Sequence, residues 1–350
     1  MPLRTTLRSR LAAASIWLFA LGYFACYAPY SATAKALSLG LIQGQRQPVT
    51  GYEMLPFSVF MSVLGMLLTI TVLGWWRHAT QLQVGPLRLP VPTRWTFLSG
   101  LCTAAIVATT TLAYTFDGVS IVFMMLLMRG GVLVIAPMID LLTGRKVRWF
   151  SGLALALSLL ALLVAFAERG GFAITIVAAV DVAIYLASYF VRLRFMSRLA
   201  KSGDADATRR YFVEEQLVGT PAVLVFLAAV ALLGGDSGFA SEVRAGFTTF
   251  FSQPWTVVLA TAMVGLLSQG TGLFGGLILL DSREHTFCVP VNRSSSVLAG
   301  LVASFALYFL LDQAPPAQGE LWGAALVLAA ILSLSLPPLL ARRNPVAPEK

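Results

Sequence analysis

Residues 118–143 read GVSIVFMMLLMRGGVLVIAPMIDLLT, and Arg129 is the lone charge in this stretch until Asp140 near its end. An α-helix needs about 20 apolar residues to cross a hydrocarbon core about 30 Å thick. The stretch is long enough, and an arginine at its centre costs about 2.5–3.5 kcal/mol on insertion scales. The fold therefore turns on two questions: whether the rest of the chain repeats this pattern, and what justifies that one cation.

The pattern does repeat. Of 350 residues, 57% are hydrophobic and only 12% charged, against about 25% charged in soluble domains. A water-soluble chain of this length has no interior large enough to hide so much apolar surface. Apolar runs of spanning length predict an all-α membrane protein of ten transmembrane helices, at 14–39, 55–76, 95–115, 118–143, 149–167, 172–193, 213–234, 254–280, 286–311 and 320–341. Breaker-rich connectors separate them, among them Gly44 to Pro48, Gly85-Pro86 to Pro92, Gly234-Gly235-Asp236 and Pro315-Pro316. The third and fourth spans divide near Asp117-Gly118, and the eighth and ninth near Asp281 to His285.

The formal charge of +9 raises the question of nucleic acid, but the basic residues form no continuous face. Nineteen of the 25 fall in Arg4–Arg10, Arg77–Arg94, Arg145–Arg148, Arg192–Arg210, Arg283 and Arg342–Lys350, all on one side if the N-terminus is inside. Arg46, Arg169 and Arg244 fall on the other. Lys and Arg accumulate in cytoplasmic loops, so the bias supports an even number of spans with both termini cytoplasmic. The expected setting is a bacterial inner (plasma) membrane. The first span follows a basic segment but is longer than a signal peptide's apolar core, so it reads as a retained helix.

Ten spans divide into two fives, residues 1–170 and 171–345, and an odd number per half forces the halves into opposite orientations. Leu112-Ala113-Tyr114, a short turn, a long helix to Gly144-Arg145 and then Trp149 and Gly152 are matched by Gly276-Leu277, a short turn, a long helix to Asp312 and then Trp322-Gly323. On these residues the chain resembles the drug/metabolite transporter superfamily in its EamA-like branch, over nearly its whole length. The resemblance implies a ten-helix inverted repeat with a central substrate cavity between the halves. The chain departs from the family pattern at Gly144-Arg145, where a Glu usually follows the Gly, and in the placement of Pro137 and Pro290.

Charges within the spans are expensive and face the protein interior or a wet cavity. Those near mid-span are Arg129 in the fourth, Arg293 in the ninth and Asp181 in the sixth, with Lys35 toward the end of the first. The fourth and ninth spans are repeat counterparts, so the two arginines sit on equivalent helices about one turn out of register. Two guanidiniums against one carboxylate favour an anionic ligand, since planar forks suit carboxylate or phosphate. The competing reading is a buried Asp181–arginine pair serving structure alone.

Asn292 and Ser294 beside Arg293, Gln269 in the glycine-rich eighth span, Tyr27 and Tyr30 with Tyr23 in the first, and Tyr185 one turn after Asp181 extend the candidate substrate site. Asp181 is also the candidate coupling residue. Asp140, near a span end, is expected to reach water or Arg145 and Lys146.

The leading expectation is a secondary transporter moving a small organic anion or zwitterionic metabolite by alternating access. The alternatives are an exporter of hydrophobic or amino-acid-like compounds, a flippase of a lipid-linked head group, or, outside transport, a lipid-modifying membrane enzyme or scaffold. No phosphate-binding Gly-rich loop occurs, and His78 and His285 are the only histidines. No enzyme activity, cofactor or metal site is expected, therefore, and Cys26, Cys102 and Cys288 show no ligand spacing. The partners are a small-molecule substrate and the lipid bilayer, with a homo-oligomer left open.

Overall fold

The computed structural model describes residues 2–112, 121–167, 176–201, 204–235, 237–315 and 318–343. The expected break at Asp117-Gly118, the division at 170–171, and Arg169, Asp236, Pro316 and Lys350 lie outside these residues. The helices are α1 (Pro2–Ser38), α2 (Gly51–Val72), α3 (Arg94–Leu112), α4 (Ile121–Leu142), α5 (Trp149–Ala167), α6 (Ile176–Leu199), α7 (Ala205–Leu233), α8 (Gly238–Thr248), α9 (Trp255–Leu280), α10 (His285–Leu311) and α11 (Gln318–Arg343). A two-stranded antiparallel hairpin, β1 (Thr80–Val84) and β2 (Leu87–Val91), lies between α2 and α3.

A helix occupies each of the ten apolar runs, because 17 or more consecutive apolar residues can satisfy their backbone polar groups in no other single-segment way. Among the described residues, four helices are long and apolar enough to cross a bilayer by length and composition: α2, α7, α9 and α10. The outer surface agrees with a lipid solvent. Leu232 and Leu233 are 81% and 83% exposed, and Phe309 and Leu310 are 72% and 78% exposed. In water each would forgo about 1.5–3 kcal/mol of burial. These features are consistent with an integral membrane protein.

Three local features depart from the sequence reading. The α2–α3 connector, expected as a Gly/Pro loop, forms the hairpin, with Gly85 at φ 61° in the first turn position. An unforeseen amphipathic helix, α8, is capped by Ser237, whose side chain accepts from the Ala240 N–H. The seventh helix begins at Ala205, ahead of its expected start at 213, so Arg209 and Arg210 are helical, and Arg192, inside the expected sixth span, is buried.

The helices pack in a pattern in which each half completes the other. α1 lies on α9 and α10, and α6 lies on α3 and α4. α2 packs on α9 and α7 on α3; α5 meets α11, and α4 meets α10. Small residues set the close approaches. Gly65 of α2 faces Leu266 of α9, while Gly265 of α9 faces the Ser58 carbonyl of α2. At the other pair, Gly100 of α3 faces Val218 of α7, and Gly219 of α7 faces Thr103 of α3. Ser62 strengthens the first contact by donating to the Gly265 carbonyl at 2.7 Å.

α4 and α10 also end alike. Gly144 after α4 takes φ 68°, and Asp312 after α10 takes φ 51°, the one positive-φ non-glycine among the described residues. These left-handed positions are better markers than Arg145 and Asp312. Arg129 lies 15 residues before the first and Arg293 19 before the second, an offset of about one turn.

The glycine contacts give a stability test. A Cβ at Gly265 meets the Ser58 backbone, whereas nothing lies within 4 Å of one at Gly272 on the same helix. Gly265→Ala is expected to lower stability by about 1–3 kcal/mol and Gly272→Ala to leave it unchanged, as read by thermal unfolding in detergent.

Candidate functional site

Two arginines and a set of tyrosines from four helices meet inside the bundle. Tyr23 and Tyr27 of α1 stand one turn apart and stack with centroids at 5.5 Å. Tyr30 lies edge-on to Tyr27 at 5.7 Å. On α6, Tyr185 and Tyr189 repeat the one-turn spacing at 4.9 Å. Arg129 of α4 donates through Nη2 to the Tyr27 hydroxyl at 2.7 Å. Arg293 of α10 donates through Nη2 to the Tyr185 hydroxyl at 3.4 Å, and its guanidinium carbon lies 5.0 Å from the Tyr189 ring centroid. Tyr23 and Tyr185 are each within electrostatic reach of both arginines, so the groups make one cluster.

Arg293 stands out chemically. Among the described residues its partners are the Tyr185 hydroxyl and the Tyr189 ring, and no carboxylate forms an ion pair with it. Its Nε and the neighbouring Ser294 Oγ are buried with no hydrogen-bond partner among the described residues. Buried polar atoms in native structures nearly always have partners, and a guanidinium lacks any neutral form to retreat to. The cation–π contact and a long hydroxyl contact are weak compensation. The arrangement suits an incoming acceptor that can take Nε and Nη together, as a carboxylate or phosphate does.

The other expected residues divide. Asn292 is buried beside the cluster: a Cβ on Gly275 of α9 would meet Tyr23 at 3.0 Å and Asn292 Nδ2 at 3.1 Å. Tyr30 joins through Tyr27. Gln269 is drawn elsewhere, donating to Gln216 Oε1 of α7 at 3.3 Å. Ser295 and Ser296 bond carbonyls of their own helix, at 2.8 and 2.7 Å. Asp181 is buried one turn before Tyr185, but it forms no ion pair with either arginine among the described residues. Its Oδ2 has no partner there. The buried Asp181–arginine pair weighed from sequence is therefore not formed.

Sequence reading passed over a set of buried carboxylates. Glu215 is fully buried and held by Arg192 through Nε and Nη2 at 2.7 and 3.0 Å, by Ser99 at 2.9 Å and by Thr103 at 3.1 Å. Glu214 accepts from the N–H and hydroxyl of Thr80, the N–H of Thr93 and the hydroxyl of Thr96, which pins the base of the hairpin to α7. The signal was two adjacent acids opening the seventh apolar run.

Asp140 corrects an expectation. It is fully buried and turns from Arg145 and Lys146 to the start of α10, accepting from the N–H groups of His285 and Thr286 at 2.8 and 2.7 Å and the Thr286 hydroxyl at 2.6 Å. The first turn of α10 has unsatisfied donors and no side-chain cap of its own, and a carboxylate there also meets the positive end of the helix dipole.

Beside it Arg148 holds Glu284 in a two-point pair at 2.8 and 2.9 Å, and Ser151 adds a bond at 2.8 Å. Burial raises the Glu284 pKa, but the bonds from Arg148 and Ser151 outweigh it and hold the carboxyl below the ordinary glutamate range. Its stabilising contribution is thus complete above about pH 4.3 and is lost only as pH falls through the lower folded value. Arg145 closes the network with bonds to the Ser282 and Lys201 carbonyls, each at 2.9 Å.

No protein-family model and no curated protein sequence matches the chain. Solved structures do share its fold. One, described as "Crystal structure of protein", aligns over 94% of this chain and 98% of its own at 15% identity, with a TM-score of 0.55. An identity that low speaks for the fold alone.

The Arg192–Glu215 pair is separable from the cluster by a double-mutant cycle. Arg192→Met strands a buried carboxylate and is expected to cost about 3–5 kcal/mol, while Arg192→Met/Glu215→Leu recovers most of it. Thermal unfolding of the three variants measures this.

Proposed function

We propose that this chain is a secondary transporter for a small organic anion or zwitterionic metabolite, which binds between Arg129 and Arg293. One observation carries the reading: among the described residues Arg293 is held inside an apolar bundle by tyrosines, with no carboxylate partner and with its Nε unsatisfied. An anion binding there would supply the countercharge and the missing acceptor. Tyr27, Tyr185 and Asn292 would then orient it, and Arg129 would hold its far side.

The proposed architecture is ten spans in two inverted halves. The packing supports it, because exchanging the halves carries the most extensive contacts between them onto one another: α1 on α9 becomes α6 on α3, α1 on α10 becomes α6 on α4, and α2 on α9 becomes α7 on α3. The interlocked glycines obey the same exchange, Gly65/Gly265 becoming Gly219/Gly100. So do the arginines: α4 reaches α1 through Arg129, and α10 reaches α6 through Arg293. Inverted repeats of this kind place substrate at the repeat interface and transport it by rocking one half against the other.

With the N-terminus inside, the Asp140–Thr286 and Arg148–Glu284 contacts lie at the cytoplasmic end and tie the first half to the second. Opening toward the cytoplasm has to break both. Their bonds to charged groups are the strong kind, so this conformation is the one closed on that side. Arg148 and Ser151 hold the Glu284 carboxyl below the ordinary glutamate range, so protonation of Glu284 near neutral pH is not what releases it. Coupling to protons is assigned instead to Asp181, a buried carboxylate with an unsatisfied oxygen on the helix that carries Tyr185.

Arg129→Ala and Arg293→Ala are each expected to abolish uptake of a labelled anion into proteoliposomes while unfolding at the wild-type temperature without ligand. Full uptake by both variants would end the assignment of the site. For Asp181→Asn the expected outcome is transport that no longer responds to a proton gradient, measured in the same vesicles with and without an imposed pH difference. An unchanged response excludes Asp181 as the coupling group.

A further inference from the structure

The hairpin between α2 and α3 has two unlike faces. Its register pairs Leu82 with Leu89, placing these two with Leu87 on one face, while Gln83 opposite Arg88 and Gln81 opposite Pro90 share the other. The polar face turns back on the chain: Gln81 donates to the Trp76 and Ala79 carbonyls at 2.8 and 3.1 Å. Leu82, Leu87 and Leu89 point away, 52%, 64% and 46% exposed. A two-stranded hairpin is marginal by itself in water, and this one leaves its only apolar face uncovered by the chain.

The surroundings say what covers it. The hairpin leaves α2, a helix apolar and long enough to span, through Trp75 and Trp76, and re-enters at Trp95, against which Arg94 packs at 4.8 Å. Tryptophans mark the membrane–water interface, so both ends of the hairpin are fixed at that level. Glu214 holds its base there through Thr80 and Thr93. Arg77, Arg88 and Arg94 surround it, and basic residues at this level are drawn to anionic lipid.

We infer that the hairpin lies flat in the cytoplasmic headgroup layer, with the Leu82, Leu87 and Leu89 face in the acyl boundary and the arginines on anionic head groups. It serves as a lateral anchor for α2 and α3. The inference rests on the membrane orientation proposed above and is independent of substrate and of transport.

The test uses Leu89→Cys, Leu82→Cys and Gln83→Cys in a Cys26→Ala/Cys102→Ala background. Each is labelled with an environment-sensitive fluorophore and reconstituted in phosphatidylcholine vesicles with or without phosphatidylglycerol, with spin-labelled lipid as quencher. Labels at Leu89 and Leu82 are expected to emit at shorter wavelength and to be quenched several-fold more strongly than the label at Gln83, with the contrast growing as phosphatidylglycerol is added. Equal quenching of all three, or none at any, overturns the inference. So does shielding of the leucine labels in lipid-free detergent that grows with protein concentration, which would assign the face to a second copy of the chain. Two leucine positions keep the result readable if one variant fails to fold, and none of the outcomes depends on uptake.

Discussion

A charge placed in an apolar interior must find a partner or remain expensive, and the chain answers that demand in three ways. Glu215 is met by a two-point arginine and hydroxyls, and Glu214 by four donors from the hairpin base. Asp140 is met by the buried N–H groups of a helix start, which have no partner within their own helix. Each of these carboxylates is satisfied from within the protein, and each ties together elements distant in sequence. Arg293 and Asp181 are the exceptions among the described residues. The tyrosines around Arg293 offer a hydroxyl and a ring face where the satisfied carboxylates have full partners, and the difference between a completed and an uncompleted shell separates scaffold from candidate site.

The apolar runs carried the helices well. Their length and the breakers between them were enough to place a helix in each of ten segments, because that signal is local and needs no partner. The hairpin escaped for a related reason. Thr80 to Val91 alternates polar and apolar residues as a strand does, but it is interrupted by Gly85-Pro86, which was read as a loop rather than a turn. The charge pattern misled at Arg192, which was counted with the basic residues of a connector although its side chain is buried. Composition reports how many cations lie near a span end; it does not report that one of them turns inward to an acid on the next helix.

The site was legible to the extent that cost alone reveals it. Arg129, Arg293 and Asp181 are conspicuous because few sequences leave such residues in apolar runs. That the first two share a tyrosine cluster, and that Asp181 pairs with neither of them, depends on helix rotation and packing and has no trace in spacing. Gln269 shows the same limit, since it sits near mid-span as a cavity residue would and yet faces Gln216. The carboxylates were missed because a satisfied charge and an unsatisfied one look identical in a string of letters.

The cap that Asp140 provides has a consequence for biogenesis. Asp140 and His285 are 145 residues apart, and at about 5–20 residues per second of synthesis the carboxylate enters the membrane well before the helix start it serves has been made. During that interval it must be hydrated or protonated, and the end of α4 cannot settle into its final depth. The arrival of α10 closes the account for both groups at once. The final packing at the end of α4 therefore waits on the start of α10, 145 residues further along the chain.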